Sequence, residues 1–174
     1  MPVTEKKKMD YCEKIRNLTV AARNVRSGQP PSQIQPDGVI ALKENERLYF
    51  KIGGVYLYEG QSIRTGKGIA ITVGKGSAKA GRRGNALDTG SLYLTDKRVV
   101  FLGINQAATI PLEFIMASTH FADGILISGD RWTTPILAIN SAAEPIYWDS
   151  FNAILEALVR GRREPVGDLS EADV

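Results

Sequence analysis

Gly90-Ser91-Leu92-Tyr93-Leu94-Thr95-Asp96-Lys97-Arg98-Val99-Val100-Phe101 is the stretch that decides the fold of this chain. Leu92 and Leu94 alternate with Tyr93, the period of a strand with one face buried. Thr95-Asp96-Lys97 is polar and suited to a reversal, and the apolar run resumes at Val99. The pattern predicts a β-hairpin with Leu92, Leu94, Val99 and Phe101 turned to a core. Thr95 closes the turn. Arg98 reads as a structural side chain, hydrogen-bonded or stacked across the reversal.

The same period extends in both directions. Upstream, Leu48, Phe50 and Ile52 alternate with Tyr49 and Lys51. Gly53-Gly54 reads as a two-residue hairpin turn, with a new strand at 55–58. Ile69, Ile71 and Val73 alternate with Ala70 and Thr72. Downstream, short strands are expected at 108–112, 114–118, 125–128 and 132–139, with Asp123-Gly124 as a turn. Short strands at about 8–12-residue spacing specify a sandwich or barrel.

Both ends of the chain switch to a helical period. Trp148, Phe151, Ile154, Leu155 and Leu158 share one helix face, with Asp149 in its first turn and Gly161 just past its end. A helix with one apolar face can cover the open end of a small barrel. Near the N-terminus, Tyr11, Ile15, Leu18, Ala22 and Val25 recur at steps of four and three. They predict a helix over 4–27, capped by Thr4 and stopped by Gly28. Its stripe is expected to pack on the protein's own barrel. A dimer seam with a second copy and a membrane-surface helix are the alternatives. Between helix and strands lie Pro30, Pro31 and Pro36, which forbid a helix, with Ile34 as an isolated apolar peg. The chain thus divides into an N-terminal helix (1–28), a Pro-rich linker (29–39), a barrel domain (40–161) and a polar tail (162–174).

The hairpin resembles the Gly-x-Leu-x-Leu/Ile-Thr-x-x-Arg-Leu/Val-x-Phe hairpin of GRAM and bacterial PH-like domains. Glu46-Arg47-Leu48-Tyr49 is similar to their first strand. Ile110-Pro111-Leu112 with Ile115 resembles a later strand pair, Asp123-Gly124-Ile125-Leu126-Ile127 the next hairpin, and 148–160 the closing helix. The resemblance spans about residues 44–160. It implies a mainly-β fold: a small antiparallel PH-like barrel capped by a C-terminal α-helix, with the N-terminal α-helix as an addition. It also implies a non-catalytic binding module, an adaptor for a protein partner or an anionic phospholipid surface. The segment 61–89 is longer than the minimal GRAM pattern requires.

Composition narrows the chemistry. The 174 residues are 43% hydrophobic, enough to fill one core. The one cysteine, Cys12, allows no disulfide within the chain, and no apolar run follows the basic N-terminus. Both predict a cytoplasmic protein with at most peripheral membrane contact. One cysteine and one histidine cannot build a Cys/His zinc site, and no Asp-rich calcium loop is present. There is no Gly-x-Ser-x-Gly elbow. Cys12 reads as an inert, partly buried thiol, and His120 as a structural histidine at a strand end. Gly68 to Gly74-Lys75-Gly76 has the wrong spacing for a phosphate-binding P-loop, and Gly74-x-Gly76 is no dinucleotide fingerprint. No enzyme and no cofactor are expected.

Charge is unevenly placed. Residues 1–28 carry seven Lys/Arg and three acids, and residues 61–87 carry six Lys/Arg and no acid, on a chain whose net charge is +3. The remainder is therefore acidic. The six cations Arg64, Lys67, Lys75, Lys79, Arg82 and Arg83, spaced by Gly, Ala and Ser, are the candidate anion-binding residues. Such a loop suits phosphate on a lipid, a nucleic acid or an acidic protein. The competing reading is a nucleic-acid-binding OB-type barrel, with loop 64–83 on phosphates and Tyr56 or Tyr58 stacking on bases.

Overall fold

Leu48–Glu59 forms one twelve-residue strand, β1, from which the rest of the sheet extends in both directions. The computed structural model describes residues 3–59, 64–65, 68–69, 86–129, 136–140 and 142–163. On one side β1 pairs with β4 (Asp88–Thr95), which pairs in turn with β5 (Arg98–Gly103) and β6 (Ala107–Pro111). On the other side it pairs with β9 (Ile136–Ile139), followed by β8 (Gly124–Gly129) and β7 (Ile115–His120). The order is β6-β5-β4-β1-β9-β8-β7, antiparallel throughout. A separate small ladder joins β2 (Arg64–Thr65) to β3 (Gly68–Ile69). The other residues of the strand expected at 69–73 lie outside the described residues.

Gly53-Gly54 is not the hairpin turn that its sequence suggests. β1 runs straight through it, with a register shift between Ile52 and Val55. Gly54 has φ +64, open to glycine at little cost, and the Gly53 carbonyl accepts a hydrogen bond from Asn140 Nδ2 at 2.7 Å. The pair is a bulge that bends β1. Before the bulge β1 pairs only with β4; after it, Tyr56 and Leu57 pair with both β4 and β9, and Tyr58 and Glu59 with β9. The bend lets one strand serve both halves of the barrel.

The core lies inside this curved sheet. Phe50, Val55, Leu57, Leu92, Leu94, Val99, Phe101, Ile125 and Ile127 face inward, and Trp148, Phe151 and Leu155 close over them. These last come from α2 (Pro145–Arg163), with Pro145 at its first turn, where a missing amide is harmless. The helix begins earlier than the sequence suggests, so Asp149 lies in its second turn. It also continues through Gly161 to Arg163, into the stretch read as a tail. Among the described residues β6 and β7 do not pair. A single 3-10 turn, Leu112–Phe114, joins them, and α2 packs against that turn and β7. The antiparallel seven-stranded sheet and the closing C-terminal helix give the mainly-β architecture with two terminal helices that the sequence predicts.

The N-terminal helix, α1 (Val3–Arg26), packs mainly on α2, although Ala22 and Val25 do reach the core. Polar contacts hold it: Tyr11 donates to Glu144 at 2.6 Å, Ser150 to the Leu18 carbonyl at 3.2 Å, and Arg26 forks onto Asp149. Arg26 keeps the Asp149 carboxyl below its usual pKa. Thr4 lies inside the first turn, not ahead of it. Gly28, with φ +97, ends the helix, donating to the Val25 carbonyl while Gln29 donates to Asn24. Cys12 is exposed on α1, not partly buried.

The Pro-rich stretch lies along the outer face of the sheet. Ile34 N–H donates to the Leu48 carbonyl at 2.9 Å, and Asp37 pairs with Lys51 and accepts from Tyr93 Oη. Lys51 holds Asp37 at a pKa of about 2. The buried peg is Ile40, which covers Leu48, Tyr93 and Val100 together with Leu42. Ile34 itself stays exposed. The hairpin is therefore buried on both faces, which alternation alone does not reveal.

Candidate functional site

Each residue of the diagnostic hairpin has a structural task. Leu92, Leu94 and Phe101 are buried core. Thr95 Oγ1 donates to Glu46 Oε1 at 2.7 Å and accepts the Lys97 and Arg98 amides, which fastens the reversal. Arg98 sends Nε to Glu46 Oε1 at 2.8 Å, and Nη2 to Glu46 Oε2 and the Ala41 carbonyl. Glu46 also accepts the Lys43 amide. This cluster clamps loop 41–46 to the β4–β5 turn. His120, last in β7, faces Asp149 at 3.4 Å and helps join β7 to α2.

The strand registers assemble the opposite end of the barrel. Glu59 lies across from Ile136, Leu57 from Asp88 and Gly90 from Gly103. The segment that leaves at Glu59 and returns at Asp88, the turn 104–106 and the segment between Gly129 and Ile136 therefore attach to one end. Of the six candidate cations, Arg64 begins β2 and pairs with Ile69 in the register. Lys67, Lys75, Lys79, Arg82 and Arg83 lie outside the described residues.

Asp88 organises this end, and sequence reading missed it. The side chain is buried at the start of β4 and accepts the Thr89, Asn105 and Gln106 amides at 2.8–3.0 Å. Burial works to raise its pKa, but those amides outweigh it and keep the carboxyl ionised below the usual range. Gly103 must lack a side chain, because a Cβ there would strike the Asp88 carboxylate. The only sequence cue was Gly103-Ile104-Asn105, a turn signal between two strands. Asp88→Ala would leave three amides short of an acceptor. It is expected to cost about 1–3 kcal/mol, measured by denaturant unfolding. A loss under about 0.5 kcal/mol, the range of ordinary surface changes, would show that water replaces the carboxylate.

Around this cap three large apolar side chains reach solvent: Tyr56, Leu87 and Ile104. A second opening, an apolar groove of about 620 Å³, lies between α1, the linker, β1 and α2, lined by Leu18, Val25, Ile34, Tyr49, Phe50 and Tyr147. Among the described residues no group of three or more His, Cys, Asp or Glu is placed to hold a metal ion. None of the described helices is long and apolar enough to cross a membrane.

This chain is similar to the Vps36 N-terminal PH domain. The two share 14% sequence identity and superpose with a TM-score of 0.49, over 77% of this chain and 95% of that one. No protein-family model matches the sequence, and no curated protein matches it. The likeness is one of shape.

Proposed function

We propose that the chain is a non-catalytic PH-like binding module whose basic end engages an anionic phospholipid surface peripherally. One observation supports this above others. The longest segment of the barrel region free of acids, residues 61–87 with six cations, is attached to a single end of the sheet by Glu59 and Asp88. Each exposed cation near an anionic membrane adds roughly 1 kcal/mol at low salt. A few together give weak binding that fades as the Debye length shrinks from about 10 Å at 0.1 M salt to about 3 Å at 1 M. A protein partner is the second reading, and the apolar groove beside α1 favours it.

Co-sedimentation with phosphatidylserine-containing vesicles tests the first reading. Wild type is expected to bind at low salt. A variant with Lys75, Lys79, Arg82 and Arg83 all changed to Gln is expected to lose binding while keeping its melting temperature. Single-stranded DNA should compete poorly if the site is shaped for head groups, and well if it recognises charge alone, as the OB-type reading requires. Equal binding by wild type and the four-Gln variant would remove the basic segment from consideration.

A further inference from the structure

From the lining of the groove beside α1 we infer that it takes an extended peptide segment of a protein partner, added as a strand to the open edge of β1, with a basic side chain at the Asp10 end. This slot rests on the protein-partner reading above, not on the membrane reading. Phe50 and Lys51 both line the groove. Yet they point to opposite faces of β1: Phe50 lies in the inner core, and Lys51 pairs with Asp37 over the outer Tyr93 ring. A groove that meets both runs along the edge of the strand, since successive side chains alternate between faces. β4 takes the other edge. On the groove edge the Leu48 carbonyl accepts the Ile34 amide, the Gly53 carbonyl accepts Asn140 Nδ2, and β9 joins only at Tyr56. Between Leu48 and Gly53, among the described residues, the backbone pairs with β4 alone. Such an edge in an apolar channel is a template for one more strand.

Shape decides the form of the ligand. The lining follows α1 from Asp10 to Val25, about 22 Å at 1.5 Å per helical residue. Spread over that length, about 620 Å³ is a narrow channel. An α-helix, about 10–12 Å across with its side chains, is too wide for it. An extended chain of about six or seven residues spans the same distance at ~3.3 Å each. Leu18, Tyr49 and Tyr147 offer apolar surface to every second side chain of that chain. Charge then selects the ligand. Of the lining cations, Lys14 lies over the Tyr147 ring and Lys51 is bound to Asp37. Asp10 and Glu13, exposed on α1, have no ion-pair partner among the described residues. A Lys or Arg of the ligand meets them. The chain's own residues 164–174 carry four acids and would set like charges against this end, so the segment comes from another molecule.

The experiment selects displayed random seven-residue peptides on the full-length chain. Enriched sequences should alternate apolar residues and carry Lys or Arg. The best of them, made synthetically, is titrated against wild type, Ile34→Arg, and Asp10→Asn with Glu13→Gln. All three positions are exposed, so the melting temperature should hold. Ile34→Arg should bind at least about tenfold more weakly, and the acid-free variant at least about threefold. Two analogues, N-methylated at the odd or at the even amides, should differ at least about tenfold, because only one set faces β1. A peptide that binds all three proteins alike would overturn the groove and leave a protein partner elsewhere on the surface. Analogues of equal affinity would overturn strand addition. No enrichment over a blank support would overturn the slot and the protein-partner reading together, and vesicle binding would stand apart, since none of these residues lies in 61–87. Wild type that sediments as a dimer, with Ile34→Arg a monomer, would give the slot to a second copy and overturn the inference.

Discussion

Phe101→Ala is expected to lower the unfolding free energy by about 3–5 kcal/mol, the usual range for emptying a buried phenylalanine site. Phe101 is 2% exposed in the central cluster, with Leu92 beside it on β4 and Ala108 on β6. Its ring also lies where a Gly103 side chain would fall. The surroundings cannot collapse readily. Leu92 and Ala108 belong to strands held in register, and the core behind them is closed by Trp148 and Phe151, whose rings sit 6.2 Å apart. Single domains are stable by about 5–15 kcal/mol, so much of the margin would go. Denaturant titration of wild type and variant, with unchanged slope, measures the loss. A shift under about 1 kcal/mol would mean that the ring is not part of the packed core.

Glu46→Ala is the second large effect. Glu46 has no solvent-accessible side-chain surface and Arg98 only 15%. Removing the carboxylate strands a guanidinium, a hydroxyl and an amide in a sparsely hydrated place. Breaking a buried pair from one side costs about 3–5 kcal/mol, and the small exposure of Arg98 places this case near the lower figure. Removing both charges, Glu46→Ala with Arg98→Met, should cost less than Glu46→Ala alone, since no unpaired charge remains.

The same carboxylate predicts an acid response. Burial pushes the Glu46 pKa upward, but hydrogen bonds from Arg98, the Lys43 amide and Thr95 prevail and hold it at about 2, against 4.5 for the unperturbed group. A carboxyl with a depressed folded pKa binds fewer protons folded than unfolded. Its stabilisation is full above pH 4.5 and falls away as the pH drops towards about 2. The amount is on the order of 3 kcal/mol. Wild type should lose stability over that window, and Glu46→Ala should lose less over the same range. Parallel pH profiles for the two proteins would assign the acid response to other groups.

The hairpin at 90–101, the alternating strands and both helices were legible in the amino-acid sequence because local period and turn chemistry record which face meets the core. Other features were hidden because they depend on partners distant in the chain. Gly53-Gly54 carries the composition of a hairpin turn. Whether such a pair reverses a strand or bends it depends on what lies alongside, and here β4 runs past both halves. Tyr93 and Val100 alternate outward and read as solvent-facing, yet Ile40 and Leu42 bury them from a loop some fifty residues upstream. Arg98 could be assigned to the turn, but its counter-ion, Glu46, could not, because nothing local marks a buried pair 52 positions apart. Asp88 looked like one acid at the border of a basic segment, and only the fold brought the Asn105 and Gln106 amides to it. The chain's own letters determined the strands, the helices and where charge is concentrated. The tertiary structure decided which side chains pair, which faces are covered, and that Tyr56, Leu87 and Ile104 share one end. Burial and pairing arise between distant segments, and the local pattern does not encode them.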